Sequence, residues 1–260
     1  MNPLIIEHLK AGYGQEVILK DVSFEVAKRE IRVILGSSGG GKSTLLNNII
    51  GLETPMSGKI FILGNEVSNN PESFTPEIRA NTGVTFQNSA LLTSMTVGEN
   101  VSLPLRLQNP GLSDSLLKEI VFHKLSLVHL SHAYHKYPGE LSGGMKKRAA
   151  IARAIIGDPA LLFCDEPSAG LDPLTSKSLD NLLLELRDKL GLSIVIVTHE
   201  LDSIKAIGDK LIFLSKGNVI FDGTIHEGAH HGPEEVQRFF SREISEEQNS
   251  HPSLSFNIKG

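Results

Sequence analysis

The chain has 260 residues, of which 40% are hydrophobic and 21% charged, an ordinary composition for a globular protein large enough to bury a core. Its formal net charge of −5 excludes an overall basic field that would attract nucleic acid. The single cysteine, Cys164, excludes an internal disulfide, and its apolar surroundings predict a buried, unreactive thiol. No apolar run reaches the roughly 20 residues of a membrane span, and no secretory signal opens the chain, so we expect a soluble, cytoplasmic protein.

The first predicted elements form a small antiparallel sheet. Alternation of apolar and polar residues over 19–26 is typical of a strand with one exposed face, and a turn at 12–14 joins it to a strand at 4–9. Later apolar runs predict strands covered on both faces, as in a parallel sheet, at 31–35, 84–86, 161–164, 194–197 and 211–214. Helical patterns separate them at 42–50, 143–156, 174–190 and 201–207, which indicates an α/β fold.

Two stretches depart from this alternation. Residues 89–150 show helical periodicity at 113–130 without a clear strand, so we predict a helical subdomain inserted there. The composition changes near residue 225, which predicts a domain over 1–225 and a C-terminal extension over 226–260. A helix is predicted at 234–240, carrying Val236, Phe239 and Phe240, and further apolar residues follow at Leu254 and Phe256.

A phosphate-binding loop is the first motif with chemical meaning. The strand at 31–35 is followed by a pattern that matches GxxxxGK[ST] and opens a helix. Glycines allow backbone N–H groups to surround phosphate oxygens, and the helix N-terminus favours the negative charge. We expect Lys42 to reach the β- and γ-phosphates of a nucleotide and Ser43 to ligate Mg²⁺. The predicted nucleotide-binding residues are Gly36, Ser37, Ser38, Gly39, Gly40, Gly41, Lys42, Ser43 and Thr44.

A pair of carboxylates ends another apolar strand. Asp165 and Glu166 follow the run at 161–164, at the edge of a parallel sheet where ligands bind. We predict that Asp165 helps to hold Mg²⁺ and nucleotide, and that Glu166 is the general base for the attacking water. Alone, this pair would be equally typical of a helix start that complements the helix dipole, but the phosphate-binding loop favours the catalytic interpretation.

Three further residues are predicted to belong to the same site. His199 follows the strand at 194–197 and would contact the γ-phosphate and orient the water. Gln87 ends the strand at 84–86 and would contact Mg²⁺ and the water. Tyr13 lies in the first turn, where its ring could stack on adenine or simply pack on the surface.

A Leu-Ser-Gly-Gly-Met sequence at 141–145 leads into the helix predicted at 143–156. Its free N–H groups and dipole offer a second anion site. The order and spacing of all these motifs resemble the ATP-binding subunits of ABC transporters over about residues 4–225. The resemblance implies a RecA-like P-loop NTPase core with an antiparallel β edge subdomain and an inserted helical subdomain.

This resemblance also implies that the chain is an ATPase that requires ATP and Mg²⁺ and that works as a head-to-tail homodimer. Ser142, Gly143 and Gly144 of one copy would bind the nucleotide held by Lys42 of the other, and Asp172 would link the two sites. Such a chain drives a membrane permease and lies at the cytoplasmic face of the inner membrane through that partner. No nucleic-acid partner is expected, and we interpret the basic run at 146–148 as a solvated helix face.

Within the family, Met145 and the basic run after it are similar to ATPases of the Mla type, which move phospholipids between bacterial membranes. The stretches 84–106 and 236–240 are also similar to that group. This similarity implies phospholipid transport, with an MCE-domain protein and a STAS-domain regulator as further partners. The stretch 88–106 follows Gln87, where the resemblance to ABC ATPases implies contact with the permease. The residues that could line a groove there are Leu91, Leu92, Met95, Leu103 and Leu105, although most of them are equally typical of core residues.

Alternative functions remain open at this stage. An ATPase of a small-molecule importer or of a lipoprotein-release system has the same motifs. An ABC ATPase of iron–sulfur cluster assembly also fits the chain length. A module that binds ATP as a switch without turnover is disfavoured, because Glu166 and His199 are both present.

Overall fold

The computed structural model describes residues 1–37, 39–68 and 71–241. Ser38, one of the predicted phosphate-binding residues, lies outside the described residues, as do Leu254 and Phe256. Within the described ranges, no helix has the length and apolar character that crossing a membrane requires.

One ten-stranded sheet organises the described part of the chain, in the order β5-β4-β1-β2-β10-β9-β3-β8-β7-β6. Its strands are β1 (Leu4–Tyr13), β2 (Glu16–Val26), β3 (Ile31–Gly36), β4 (Ser57–Ile62), β5 (Asn65–Glu66), β6 (Thr82–Thr85), β7 (Leu161–Asp165), β8 (Ser193–Val197), β9 (Lys210–Ser215) and β10 (Asn218–Thr224).

The first half of this sheet is the predicted antiparallel edge. β1 pairs with β2 in a long hairpin whose register begins at Tyr13 opposite Glu16, and β4 pairs with the other side of β1. Along β2, Val22, Phe24 and Val26 are buried and the residues between them are exposed, as their alternation predicts. The prediction of an antiparallel sheet at the start of the chain is therefore confirmed, and β4 and β5 extend it.

The second half is parallel. β3, β8, β7 and β6 lie side by side in that order, with Ile34 opposite Val197, Asp165 opposite Val197 and Thr85 opposite Cys164. These strands are buried along most of their length, which agrees with their continuous apolar sequence. Burial raises the pKa of the Cys164 thiol to about 12, so the predicted unreactive cysteine is confirmed.

Helices cover this sheet, and those predicted between strands are found within a few residues of their expected bounds. They are α1 (Lys42–Ile49), α2 (Pro76–Ala80), α3 (Val97–Gln108), α4 (Asp114–Leu127), α5 (Gly143–Ala154), α6 (Pro173–Leu190), α7 (Leu201–Ile207), α8 (Ile225–His231) and α9 (234–241). The stretch predicted as a helical subdomain at 89–150 contains α3, α4 and most of α5, and no strand.

Helix α3 was not among the predicted elements. Its start carries a clear signal, because Thr96 and Glu99 form a capping box in which each side chain accepts from the other's backbone N–H. Pro104 lies inside the helix and disguises the pattern, since proline usually ends a helix. Of the predicted groove residues, Leu91 and Leu105 pack against the core, whereas 44% of Leu92 remains exposed.

The C-terminal helix α9, predicted at 234–240, is confirmed and is part of the core. Val236 and Phe240 lie in one buried cluster with residues of β3, β9 and α7, and the ring of Phe239 meets Phe213 edge-on at 5.8 Å. Glu235 accepts a hydrogen bond from Ser215 at 2.9 Å. Removal of everything after Thr224 would therefore open the core beside α7.

We predict that Phe240→Ala lowers the free energy of unfolding by about 3–5 kcal/mol, because it leaves a cavity in a site that is only 4% exposed. Leu107→Ala is the control, since Leu107 is 72% exposed, and its effect should stay within about 0.5 kcal/mol. Urea unfolding of the full chain measures both. Equal stability of the two variants would contradict the placement of α9.

Candidate active site

Four loops that follow parallel strands meet at one edge of the sheet. The phosphate-binding loop begins at Gly36 on β3, His199 follows β8, Glu166 follows β7 and Gln87 follows β6. These strands are neighbours in the order β3-β8-β7-β6, so their carboxyl ends lie in a row. The parallel sheet thus brings together residues that are more than 160 positions apart.

The loop between β3 and α1 is shaped as a cradle for an anion. A Cβ atom at Gly36 would lie 2.3 Å from the carbonyl oxygen of Leu214, so only glycine allows this close approach. Gly41 precedes α1 with φ of 98°, a left-handed conformation that also favours glycine. Gly41 is the N-cap of α1 and has no side chain to cap the helix. The first N–H groups of α1 are thus available for phosphate oxygens.

The Lys42 side chain folds back over this loop. Its Nζ donates to the carbonyl oxygens of Gly36 at 2.7 Å and Ser37 at 3.0 Å. Burial lowers the pKa of Lys42, while the negative charge of Glu166 raises it. The phosphate-binding loop and the carboxylate pair therefore share one electrostatic environment, which suits a nucleotide triphosphate between them.

Tyr13 lies at the tip of the β1–β2 hairpin, beside α1. Its hydroxyl donates to Glu53 at 3.0 Å and lies 3.5 Å from the hydroxyl of Thr44. Half of the tyrosine remains exposed, so its ring is free to stack on a base. Glu53 also accepts from Asn47, and it was not predicted as part of the site.

Glu166 and His199 form a direct pair. Nδ1 of His199 lies 2.7 Å from Oε1 of Glu166, and 63% of the histidine side chain is exposed. The other carboxylate oxygen, Oε2, is buried and has no hydrogen-bond partner among the described residues. Glu166 has φ of 45°, a left-handed conformation that is unfavourable for this residue type and is characteristic of functional sites.

Asp165 completes the carboxylate pair at the end of β7. Burial raises its pKa, and the charge of Glu166 raises it further, whereas Lys147 lowers it. A bound divalent cation would reduce the repulsion between the two neighbouring carboxylates. The predicted Mg²⁺ ligands, Ser43, Gln87 and Asp165, offer the hydroxyl, amide and carboxylate oxygens that this ion prefers. Among the residues described, no cluster of three or more His, Cys, Asp or Glu side chains could hold a metal, so nucleotide oxygens would have to complete the coordination.

The Ser-Gly-Gly motif lies at the N-terminus of α5. Ser142 and Gly143 are exposed, and the Ser142 hydroxyl accepts from the N–H of Met145 at 3.3 Å. Asp172 has the same role for α6, where its carboxylate accepts from the N–H of Thr175 at 3.0 Å. Within one chain both residues are helix caps, and their contacts with a second chain stay predictions.

The prediction of a solvated basic face at 146–148 is wrong for two of its three residues. Lys147 is only 8% exposed and donates to the backbone carbonyls of Gln87 and Glu166. Arg148 donates to Val128 and Ser178. A signal was present, because Lys147 shares a helical face with Gly144 and Ile151, which are also buried.

Comparison with known proteins now identifies the family. Residues 19–169 match the sequence profile described as "ABC transporter". The chain belongs to the ABC transporter family. The structure agrees with solved ABC cassettes: it superposes on the dimeric bacterial ABC transporter cassette MJ0796 with a TM-score of 0.77 and 30% identity, covering 85% of this chain and 98% of the other. It also resembles cbiO1 of Clostridium perfringens, part of the cbiONQ transporter complex, with a TM-score of 0.80, 29% identity and coverage of 96% and 98%. The predicted fold is confirmed.

Similar ABC sequences with an assigned function include methionine import ATP-binding proteins. The one from Latilactobacillus sakei is 42% identical over 206 residues, which is 79% of this chain and 59% of that protein. The one from Campylobacter jejuni is 38% identical over 237 residues, 85% of this chain and 70% of that protein. The chain thus spans 59–70% of the length of these two relatives. Neither supports the predicted phospholipid transport or its MCE and STAS partners.

We predict that Asp165→Asn stabilises the nucleotide-free ABC domain at neutral pH. Because burial and Glu166 raise the pKa of Asp165, the folded chain binds this proton more tightly than the unfolded chain does. The stability that this group contributes is present at acidic pH and is lost as the pH rises through the raised pKa.

Urea unfolding at acidic and at neutral pH measures this effect. The wild-type chain should lose more stability on neutralisation than Asp165→Asn does. Asp114→Asn is the control, because Asp114 lies exposed in a surface ion pair with Arg106, worth at most about 1 kcal/mol. A lower stability of Asp165→Asn at neutral pH would contradict the prediction.

Proposed function

We propose that the chain is the ATP-hydrolysing subunit of an ABC transporter. The observation that carries this proposal is the Glu166–His199 pair, held beside Lys42 at the carboxyl ends of neighbouring parallel strands. A module that only binds ATP has no need of a strained carboxylate next to an exposed histidine. One of the similar solved cassettes is described as a post-hydrolysis state bound to ADP and phosphate, which supports the same activity.

In the proposed reaction, a water oxygen forms a bond to the γ-phosphorus while the bond between that phosphorus and the β–γ bridging oxygen breaks. Lys42 and the N-terminus of α1 stabilise the phosphate charge. Glu166 accepts the proton of the attacking water. When bound, Mg²⁺ at Ser43, Gln87 and Asp165 would neutralise phosphate charge.

Dimerisation and a membrane partner belong to the same proposal. The exposed Ser142 and Gly143 at the start of α5 form an anion site that lacks a phosphate-binding lysine of its own. A second copy would supply the nucleotide, and a similar cassette is described as dimeric. We infer peripheral attachment to a permease at the cytoplasmic face of the inner membrane, and membership of the transporter family supports this inference.

For the transported molecule, we infer import of a small solute such as methionine. The relatives named above are methionine importers, which favours the small-molecule importer over the phospholipid system. Met145, one basis of the phospholipid interpretation, is partly buried against a core cluster, and this packing accounts for an apolar residue at that position.

The chemistry is tested with Glu166→Gln. We expect ATP binding to remain and hydrolysis to fall by about 10²–10⁴-fold, because the general base is removed while the side-chain shape is kept. Turnover is measured as phosphate release, and binding is measured by calorimetry. Glu185→Gln is the matched control, since Glu185 lies on α6 in a surface pair with Lys189 and should leave turnover unchanged. Wild-type turnover in Glu166→Gln would remove the catalytic assignment.

The solute is tested on the assembled transporter. The chain, tagged and purified with its membrane partners, is reconstituted in vesicles, and ATP turnover is measured with L-methionine, with L-leucine as control, and with added phospholipid acceptor vesicles. We expect turnover to increase with methionine alone. An increase with phospholipid transfer and none with methionine would overturn the import proposal while leaving the ATPase proposal intact.

A further inference from the structure

One buried ammonium group joins three parts of the candidate site. Lys147 lies in the first turns of α5, the helix that starts at Ser142. Its Nζ donates to the carbonyl oxygen of Gln87 at 2.6 Å and to that of Glu166 at 2.8 Å. These two residues follow the adjacent strands β6 and β7, so one side chain spans both loops.

Burial of the Lys147 ammonium group costs free energy of hydration. An ammonium removed from water loses hydration that two neutral carbonyls only partly replace. Burial lowers the pKa of Lys147, and the charges of Glu166 and Asp165 oppose this effect. The positive charge thus lies in the field of the two carboxylates, although its hydrogen bonds go to the backbone. Those bonds fix the orientation of two peptide groups.

The peptide of Glu166 is the one that needs fixing. Its φ of 45° is unfavourable for a glutamate, and its N–H already donates to the carbonyl of Val197 at 2.8 Å. With the N–H and the carbonyl of Glu166 both held, the direction in which its side chain leaves the backbone is set. That direction places Oε1 against His199.

We propose that Lys147 is a positioning residue for ATP hydrolysis, holding the backbone of Glu166 in its strained conformation and in register with Gln87. The inference rests on the proposed function, in which Glu166 is the base. It also makes α5 a rigid connection: any tilt of the helix that carries Ser142 moves the ammonium and with it both loops. Lys147 acts through Glu166 and touches no reacting atom.

A second cation on α5 provides a comparison. Arg153 donates to the carbonyls of Ala90 at 2.6 Å and Ser89 at 2.8 Å, two consecutive residues with left-handed φ. It holds the same loop as Lys147 does, but it makes no contact with Glu166. A structural role in fastening α5 to that loop is therefore shared by both cations, whereas the link to the base belongs to Lys147.

The test compares Lys147→Met with Lys146→Met and Arg153→Met in the full chain. Methionine keeps the length of the lysine stem without its charge or donors. We expect Lys147→Met to bind ATP with unchanged affinity and KM, and to lose about 10²-fold in kcat, the typical effect of misplacing a catalytic group by about 1 Å. Lys146→Met should keep wild-type kcat, and Arg153→Met should keep most of it.

A double variant separates positioning from general stability. If Lys147 acts through Glu166, adding Lys147→Met to Glu166→Gln should lower the residual rate no further, because residues that act as one unit are not additive. Lys147→Gln, which keeps N–H donors on a stem that is one bond shorter, should recover part of kcat, and it also serves if Lys147→Met fails to fold.

The outcomes are distinct from those that test the ATPase itself. If Glu166→Gln is inactive but Lys147→Met and Lys147→Gln turn over ATP like Lys146→Met, the positioning role is overturned. It is equally overturned if the losses in Lys147→Met and Glu166→Gln multiply, or if Arg153→Met loses as much kcat as Lys147→Met. A wild-type chain without ATPase activity would instead refute the proposed function.

Discussion

Parallel pairing of β3, β8, β7 and β6 is the constraint on which the site depends. Each strand pair fixes the height at which its strands end, and the helices between them return the chain to the opposite edge. Four loops from distant parts of the sequence therefore lie side by side because of strand pairing, and contacts between their side chains are not needed to bring them together. The chemistry of the site then depends on which residues lie just after each strand.

Part of the backbone strain of the described chain lies in these loops. Glu166, Ser89 and Ala90 all have left-handed φ values, and none is glycine. Their carbonyl oxygens accept from two cations of α5, the buried Lys147 and the half-buried Arg153. Charge-assisted hydrogen bonds are stronger than neutral ones, so they can hold conformations that the local sequence disfavours. The helix after the signature motif is therefore a support for the catalytic edge as well as the start of an anion site.

Much of the fold could be predicted from the sequence because its periodicities are strong. Alternation in β2 and continuous apolar runs in β3, β7 and β8 gave the two halves of the sheet. Helix α3 was missed because Pro104 interrupts its pattern. The C-terminal helix was predicted, but its burial in the core could not be predicted. Val236 and Phe240 are apolar, yet most residues around them in the sequence are polar.

In the candidate site, too, some residues could be predicted from the sequence and others could not. Motif residues such as Lys42, Asp165, Glu166 and His199 follow strands, and strand ends are visible in a sequence. The residues that hold these loops in place, Lys147 and Arg153, are not visible in the sequence, because they donate to backbone carbonyls, which every residue possesses. No pattern of residue types reveals which carbonyl a cation will meet. The transported solute is hidden for a different reason, since nothing in the ATP site has to contact it.

The cap at Ser142 has a consequence for how this hydroxyl meets an incoming anion. A serine oxygen has two lone pairs and one proton, and the N–H of Met145 occupies one of the lone pairs. This bond leaves the hydroxyl proton available for donation to an anion. An exposed serine without such a bond would rotate among its three staggered positions and would lose that freedom on binding. In this chain the hydrogen bond with Met145 already orders the Ser142 side chain before an anion binds. The entropic cost of ordering this side chain is therefore part of folding and not of binding.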